Sequence, residues 1–324
     1  MRKSQALIAI VLIGIVIDST VAIGWRFGWF AEEKEELYVI HAGSLSVPFD
    51  KMETEYEEKY PNIDVRREAY GSRLSTMMVR NSTKEYDILG VADYHLIPDL
   101  LYPDKATWTG IVASNQMCLA YTDKAKYSEE INSTNWYQIL NRSDVSYAHS
   151  DKDLDPCGYR SIIVYRLASA YYGKPIFQWL NGKDQEKIYQ KETDIVTDLQ
   201  TGETDYGFEY LSIAKQHKLS YVKFPDRINL GNWNYADYYK ENGYVVLTDG
   251  TNITGVPILY GITIPETYQN YDATLKWVQM VAGETGRNIF DACGQPPLNP
   301  ALTPDSSAIP EELAEYFEEE QDLP

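Results

Sequence analysis

The sequence predicts an α/β protein built as two lobes joined by two crossing strands. Three observations carry that expectation. From Leu37 onward, apolar strand-like runs alternate with helical patterns. Two further apolar runs, residues 111–121 and 256–264, bracket a separate middle section and are long enough to pass from one lobe to the other. The chain also has 324 residues, 44% of them apolar, with 27 tyrosines and 7 tryptophans, enough to bury two substantial cores.

The elements follow in order. Residues 37–42 form a short apolar strand that runs into Gly43-Ser44-Leu45-Ser46. Val47, Phe49, Met52 and Tyr56 then recur on one helical face, and Pro61 ends the pattern. A second strand, 63–69, runs into Gly71-Ser72-Arg73, followed by a helical stretch with Leu74, Met77 and Met78 apolar, and a third strand at 86–91. Strand, helix, strand, helix, strand at this spacing means parallel βαβ units. In the middle section a helix opens at Asp155-Pro156 and runs to about Tyr172, a second covers 193–200, and a strand covers 206–210. Amphipathic helices at 273–281 and 285–292 come after the second crossing run. The expected organisation is a leader and acidic spacer over 1–36, a first lobe from 37–118 and 257–310, a second lobe from 119–256, and a solvated acidic tail over 311–324.

Charge and cysteine usage narrow the function classes. A formal net charge of −19 argues against DNA or RNA as a partner. Cys118, Cys157 and Cys293 show no CxxC pairing and are too sparse for a disulfide scaffold; one long-range bridge stays open, with no spacing signal to support it. The four histidines have no metal-site spacing, and no nucleophile elbow, P-loop or dinucleotide fingerprint occurs, so nothing argues for an enzyme. Arg2 and Lys3 precede an apolar run over 6–17, as in a secretory signal, with Thr20-Val-Ala22 as a passable cleavage site. Retained, the same segment is a membrane anchor with Asp18 an awkward passenger. Either way, the basic start and the acidic 31–36 flank put the bulk of the protein outside the cytoplasm. Sequons at Asn81, Asn132, Asn141 and Asn252 are compatible with export.

In a parallel sheet, ligands bind beyond the carboxyl ends of strands, where loops enter helix N-termini. Both Gly-Ser turns lie there. Ser44 and Ser72 offer hydroxyl donors, glycine allows close backbone approach, and the helix dipole favours an anion. Each turn alone reads first as an ordinary N-cap serine, and it is the pair on adjacent strands of one lobe that raises the anion-site reading. Asp155 with Pro156 at the first helical position is a strong helix start on structural grounds, and Asp151-x-Asp153-x-Asp155 fails as a calcium loop because Pro156 replaces the turn glycine. Glu209 shares a strand face with Gly207 at the carboxyl end of 206–210. It also reads as a solvated strand-end glutamate.

Taken together, these stretches resemble a known family. His41-Ala-Gly-Ser-Leu-Ser-Val-Pro-Phe49, Glu68-Ala-Tyr-Gly-Ser-Arg73, Asp155-Pro-Cys-Gly-Tyr-Arg160 and Phe208-Glu-Tyr210 are similar to segments of the archaeal tungstate/molybdate-binding proteins of ABC importers (the ModA/WtpA type). So are Ile228-Asn-Leu-Gly231, Tyr235-Ala-Asp-Tyr238, Thr254-Gly-Val-Pro-Ile258 and Gly294-Gln-Pro-Pro297. The matches keep the family's order over roughly residues 37 to 300.

The resemblance implies a type II periplasmic-binding-protein fold that closes over its ligand, with no cofactor and no enzymatic activity. It implies a tungstate or molybdate ion whose metal is six-coordinate: four oxo groups plus one oxygen each from Asp155 and Glu209. Ser44 and Ser72 match the serine turns that donate hydrogen bonds, and Tyr235 matches a tyrosine near the ligand. The implied partners are an ABC permease and its ATPase, with the N-terminal segment as membrane tether and the protein a monomer. Two carboxylates against a dianion ordinarily repel by several kcal/mol in a partly desolvated cleft. Tungsten(VI) and molybdenum(VI) accept extra oxygen ligands and offset this, whereas sulfur and phosphorus do not, so the same residues refuse sulfate. The alternative reading is a receptor for another tetrahedral oxyanion such as sulfate, with Asp155 and Glu209 only structural.

Overall fold

The computed structural model describes residues 34–81 and 83–324. The expected signal or anchor segment falls outside the described residues. The strands are β1 (Glu35–Ala42), β2 (Ile63–Tyr70), β3 (Ile88–Val91), β4 (Gly110–Asn115), β5 (Met117–Tyr121), β6 (Tyr147–Ser150), β7 (Glu186–Tyr189), β8 (Tyr206–Tyr210), β9 (Ser220–Lys223), β10 (Tyr244–Val246), β11 (Asn252–Thr254), β12 (Ile258–Thr263), β13 (Pro297–Thr303) and β14 (Phe317–Glu319).

Two main sheets define two lobes. The first has the order β14-β13-β4-β12-β3-β1-β2 and the second β7-β6-β8-β5-β9. β1 pairs in parallel with both β2 and β3, through the crossover helices Ser46–Lys59 and Ser72–Asn81, as the strand–helix alternation predicts. The run 111–121 does change lobes: β4 belongs to the first sheet and β5 to the second, with Gln116 between them. The return passes through 255–257 into β12, which runs antiparallel between β3 and β4.

Each lobe is filled with aromatics. In the first lobe Trp277 meets Phe49 edge-on at 5.6 Å and Tyr56 at 5.3 Å, and the Tyr56 hydroxyl donates to the carbonyl of Ala273 at 2.7 Å. In the second, Phe208 contacts Tyr165 at 4.9 Å and Trp136 at 5.9 Å. A tyrosine whose hydroxyl finds a carbonyl buries a large apolar ring without leaving a polar atom unpaired.

Helix Pro156–Tyr172 is the spine of the second lobe. Pro156 occupies its first turn, and Gly173, in the left-handed region at φ 63°, closes its end. It is buried on nearly all sides, which accounts for its lack of an amphipathic pattern.

The tail expectation needs correction. Residues 311–324 are folded: Glu311–Tyr316 is a 3-10 helix, and β14 pairs in parallel with β13, Ala301 opposite Phe317. Leu313 and Phe317 are the anchors, and Phe317 packs edge-on against Trp108 at 5.9 Å. The few apolar side chains, Leu313, Tyr316 and Phe317 chief among them, are outnumbered by glutamates and span too short a stretch to mark an element. The three cysteines are buried free thiols.

Candidate functional site

Both Gly-Ser turns sit at the carboxyl ends of their strands and face the second lobe. After β1, residues Gly43–Leu45 make one 3-10 turn, with Ser44 fully buried. The Ser44 hydroxyl accepts from the Tyr260 hydroxyl at 3.1 Å, and Tyr260 in turn accepts from the Asn115 amide at 2.8 Å. Gln295 donates to the Ser44 carbonyl at 3.0 Å. Ser72 opens helix Ser72–Asn81, and its hydroxyl accepts from the Ala92 amide at 2.9 Å. Each hydroxyl thus has a lone pair engaged while its own proton remains to be donated.

The glycines serve closeness of a different kind from the one the turns suggest. A Cβ on Gly43 would stand 2.9 Å from Oε1 of Glu192, and one on Gly71 would stand 2.9 Å from Cβ of Asp155 and 2.5 Å from the Leu154 carbonyl oxygen. Each glycine therefore admits an acidic residue of the opposite lobe into its serine turn.

Asp155 is 1% exposed and doubly held. Its Oδ1 accepts from the Cys157 amide at 3.1 Å, the expected N-cap, and its Oδ2 accepts from the Glu192 amide at 3.0 Å. The adjacent Leu154 carbonyl accepts from the Leu74 amide of the first lobe at 3.1 Å. Asp155 is at once a helix cap and a member of the interlobe cluster.

Glu209 lies at the end of β8, opposite Cys118 of β5, and is fully buried. Neither of its carboxylate oxygens has a hydrogen-bond partner among the described residues. Burial first, and then the charge of Asp155, push its carboxyl well above the usual range. The solvated strand-end reading is thereby excluded.

Glu192 was not legible from the sequence. It stands at the N-cap of helix Thr193–Thr201 but makes no side-chain cap; instead its carboxyl turns toward Gly43, with both oxygens buried and unpartnered among the described residues. Burial, then Asp155, and more weakly Glu209, hold it well above the usual carboxylate range. The available signal was an acidic residue opening an amphipathic helix, which ordinarily marks only a favourable dipole contact.

Tyr235 is placed elsewhere. It ends a 3-10 turn, half-buried, with its ring 5.5 Å from the Arg227 guanidinium and 6.5 Å from the ring of Tyr239. No contact among the described residues links it to the serine turns or the three acids.

Asp155 and Glu192 therefore stand against the two serine turns, with Glu209 close enough to Asp155 to feel its charge, and no ion pair to Lys, Arg or His reaches any of the three among the described residues. Nor do three acidic, histidine or cysteine side chains among those residues converge tightly enough to hold a metal ion by themselves. Such a cluster suits either protons or an electropositive centre that brings its own remaining ligands.

Two lobes, two crossing segments and a polar site between them define an interlobe binding protein of the type II periplasmic fold. The chain belongs to the family of bacterial extracellular solute-binding proteins, whose model it matches over residues 37–294. It is accordingly a solute-binding protein stationed outside the cytoplasm, and not an enzyme. A molybdate/tungstate-binding protein, WtpA, of Pyrococcus abyssi is 38% identical over 310 residues, covering 87% of this chain and 90% of the relative, which bears out the family resemblance read from the motifs. An uncharacterized solute-binding protein of Petrotoga mobilis is 42% identical over 288 residues, with 87% and 90% covered. Among solved structures, the periplasmic molybdate-binding protein of Azotobacter vinelandii matches with a TM-score of 0.60 at 16% identity, over 80% of this chain and 98% of that one. The sulfate-binding protein SubI of Mycobacterium tuberculosis matches with 0.63 at 11%, over 82% and 88%. These structures share the fold, and the fold does not choose the anion.

Proposed function

We propose that the interlobe cleft captures tungstate or molybdate and delivers it to an ABC permease driven by its ATPase. The observation that carries this reading is the set of buried carboxyl groups of the second lobe, with no cation paired to them among the described residues, two of which pack against the serine turns of the first. A tetroxo anion of tungsten or molybdenum resolves that arrangement: its oxo groups accept from Ser44 and Ser72, and its metal centre accepts carboxylate oxygens. The relative named for molybdate and tungstate supports the same ligand.

Asp155 supplies one of the two carboxylate oxygens. The motif resemblance gives the other to Glu209, and the geometry favours Glu192. Glu192 approaches Gly43 of the first lobe and adds to the electrostatic burden on Tyr260, which bonds Ser44. The electrostatic neighbours of Glu209 are Asp155, Cys118, Cys157 and, more weakly, Glu192, all within its own lobe. In this reading Asp155 and Glu192 complete the octahedron, Glu209 packs beside Asp155 without reaching the metal, and Tyr235 has no ligand role. The N-terminal segment tethers a monomeric receptor to the membrane.

Calorimetry on the soluble region from about residue 33 tests the ligand. Tungstate and molybdate bind with dissociation constants well below micromolar, and sulfate produces no measurable heat. Binding of tungstate no tighter than micromolar, or equal affinity for sulfate, removes the proposal.

A further inference from the structure

Outside the ligand cluster, the ion pair among the described residues that crosses between the lobes with both partners buried is Arg160–Asp93. Arg160, five residues after Asp155 on helix Pro156–Tyr172, is 2% exposed, and Asp93, in the loop after β3, is 5% exposed. Arg160 Nη1 donates to the Ala92 carbonyl of the first lobe at 2.8 Å and to the Tyr210 hydroxyl of its own lobe at 2.7 Å. Its Nη2 lies 3.4 Å from Asp93 Oδ2, the oxygen to which Tyr159 of the same helix donates its hydroxyl proton. Asp93 Oδ1 faces Nδ1 of His95 at 3.1 Å.

The backbone of Ala92 joins this cluster to the ligand site through two successive peptide groups. Its carbonyl accepts from Arg160, and its amide donates to the Ser72 hydroxyl at 2.9 Å. The residue whose amide orients Ser72 is thus held at its carbonyl by a side chain of the opposite lobe.

We propose that Arg160 and Asp93 are positioning residues for ligand capture: a cross-lobe latch that forms only in the closed protein, holds Ser72 through Ala92, and governs how slowly the bound anion leaves. This rests on the ligand reading above for its kinetic part alone. When the lobes separate, Arg160 and Asp93 each regain water, so the pair adds little to the stability of the open form. In the closed form both are desolvated, and removing either leaves the other buried without its counter-charge. Loss of one partner therefore penalises closure selectively, and a penalty on the closed complex appears in the dissociation rate.

Two readouts on Asp93→Asn and Asp93→Glu test the latch: small-angle scattering of the ligand-free protein, and stopped-flow tryptophan fluorescence of tungstate release. Asp93→Asn is expected to enlarge the ligand-free radius of gyration and to raise the off-rate by roughly 30-fold or more, while the on-rate changes by less than about threefold. Asp93→Glu, which keeps the charge, restores much of both. Should Asp93→Asn not fold, Tyr159→Phe removes a single hydroxyl from Asp93 and is expected to raise the off-rate by about 5-fold. An unchanged shape and an off-rate within threefold of wild type in a folded variant overturn the latch, as does a failure of Asp93→Glu to outperform Asp93→Asn. If wild type binds no tungstate, the ligand reading fails, and the scattering comparison still decides the latch.

Discussion

Asp155→Asn is expected to abolish tight tungstate binding while leaving the fold intact. Asparagine keeps one side-chain oxygen to accept from the Cys157 amide, so the cap on helix Pro156–Tyr172 survives, while its NH2 group leaves the Glu192 amide without the acceptor that Oδ2 supplies. What it removes is the charge and one carboxylate oxygen on the metal. Affinity should fall by about 1,000-fold or more, equivalent to roughly 4 kcal/mol. Asp155→Ala also loses affinity but is the poorer test. It strips acceptors from two buried amides, those of Cys157 and Glu192, at about 1–3 kcal/mol each, and confuses unfolding with ligand loss. Thermal melts with and without tungstate separate the two. Asp155→Asn should keep a cooperative melt, somewhat below wild type for the one amide acceptor lost but above Asp155→Ala, and gain nothing from tungstate. A melting temperature that still climbs on adding tungstate would falsify the coordinating role of Asp155.

The second large effect has opposite signs for stability and function. Glu192→Gln is expected to stabilise the ligand-free protein above neutral pH and to destroy tungstate binding. The sign follows from linkage. The folded-state carboxyl of Glu192 titrates above its unfolded value, because burial and Asp155 disfavour its charged form. Its contribution is therefore fully present below the ordinary glutamate range, near pH 4.5, and is lost as pH rises through the folded value. Glutamine is neutral at every pH and can donate to the Asp155 carboxylate, so that loss disappears. The ligand-free melting temperature at pH 8 should rise by a few degrees, for a gain of about 1–3 kcal/mol. In wild type, saturating tungstate at 1,000 times its dissociation constant adds about 4 kcal/mol, and in Glu192→Gln it adds nothing. Glu209→Gln separates the two candidate pairs: it should share the stabilisation and keep most of the tungstate response. If Glu209→Gln loses binding and Glu192→Gln keeps it, the second ligand is Glu209, as the motif resemblance implies.

What the sequence revealed and what it hid have physical reasons. The helix start at Asp155-Pro156, the strand ending at Glu209 and the two Gly-Ser turns rest on local signals: a cap, an alternation, and a residue type at a strand end. Such signals survive folding because they are set within a few residues. The two lobe crossings were legible because a buried strand is apolar along its whole length. Glu192 was hidden because its role depends on the approach of Gly43 from the other lobe, about 150 residues away in sequence. The Asp93–Arg160 pair was hidden for the same reason. The strand at Phe317 was missed because an edge strand of three residues, two of them glutamates, carries no period. Tyr235 is the reverse case: a motif match puts it near the ligand, while its own ring contacts are with Arg227 and Tyr239.

Tungsten-edge X-ray absorption on the protein–tungstate complex in solution addresses the coordination directly, because it counts the oxygen atoms around the metal. Six oxygen neighbours are expected: four short oxo contacts and two longer ones, with the longer pair reduced by one in any Glu192→Gln complex that can be trapped at high ligand concentration. A spectrum identical to that of free four-coordinate tungstate would show that the carboxyl groups never reach the metal.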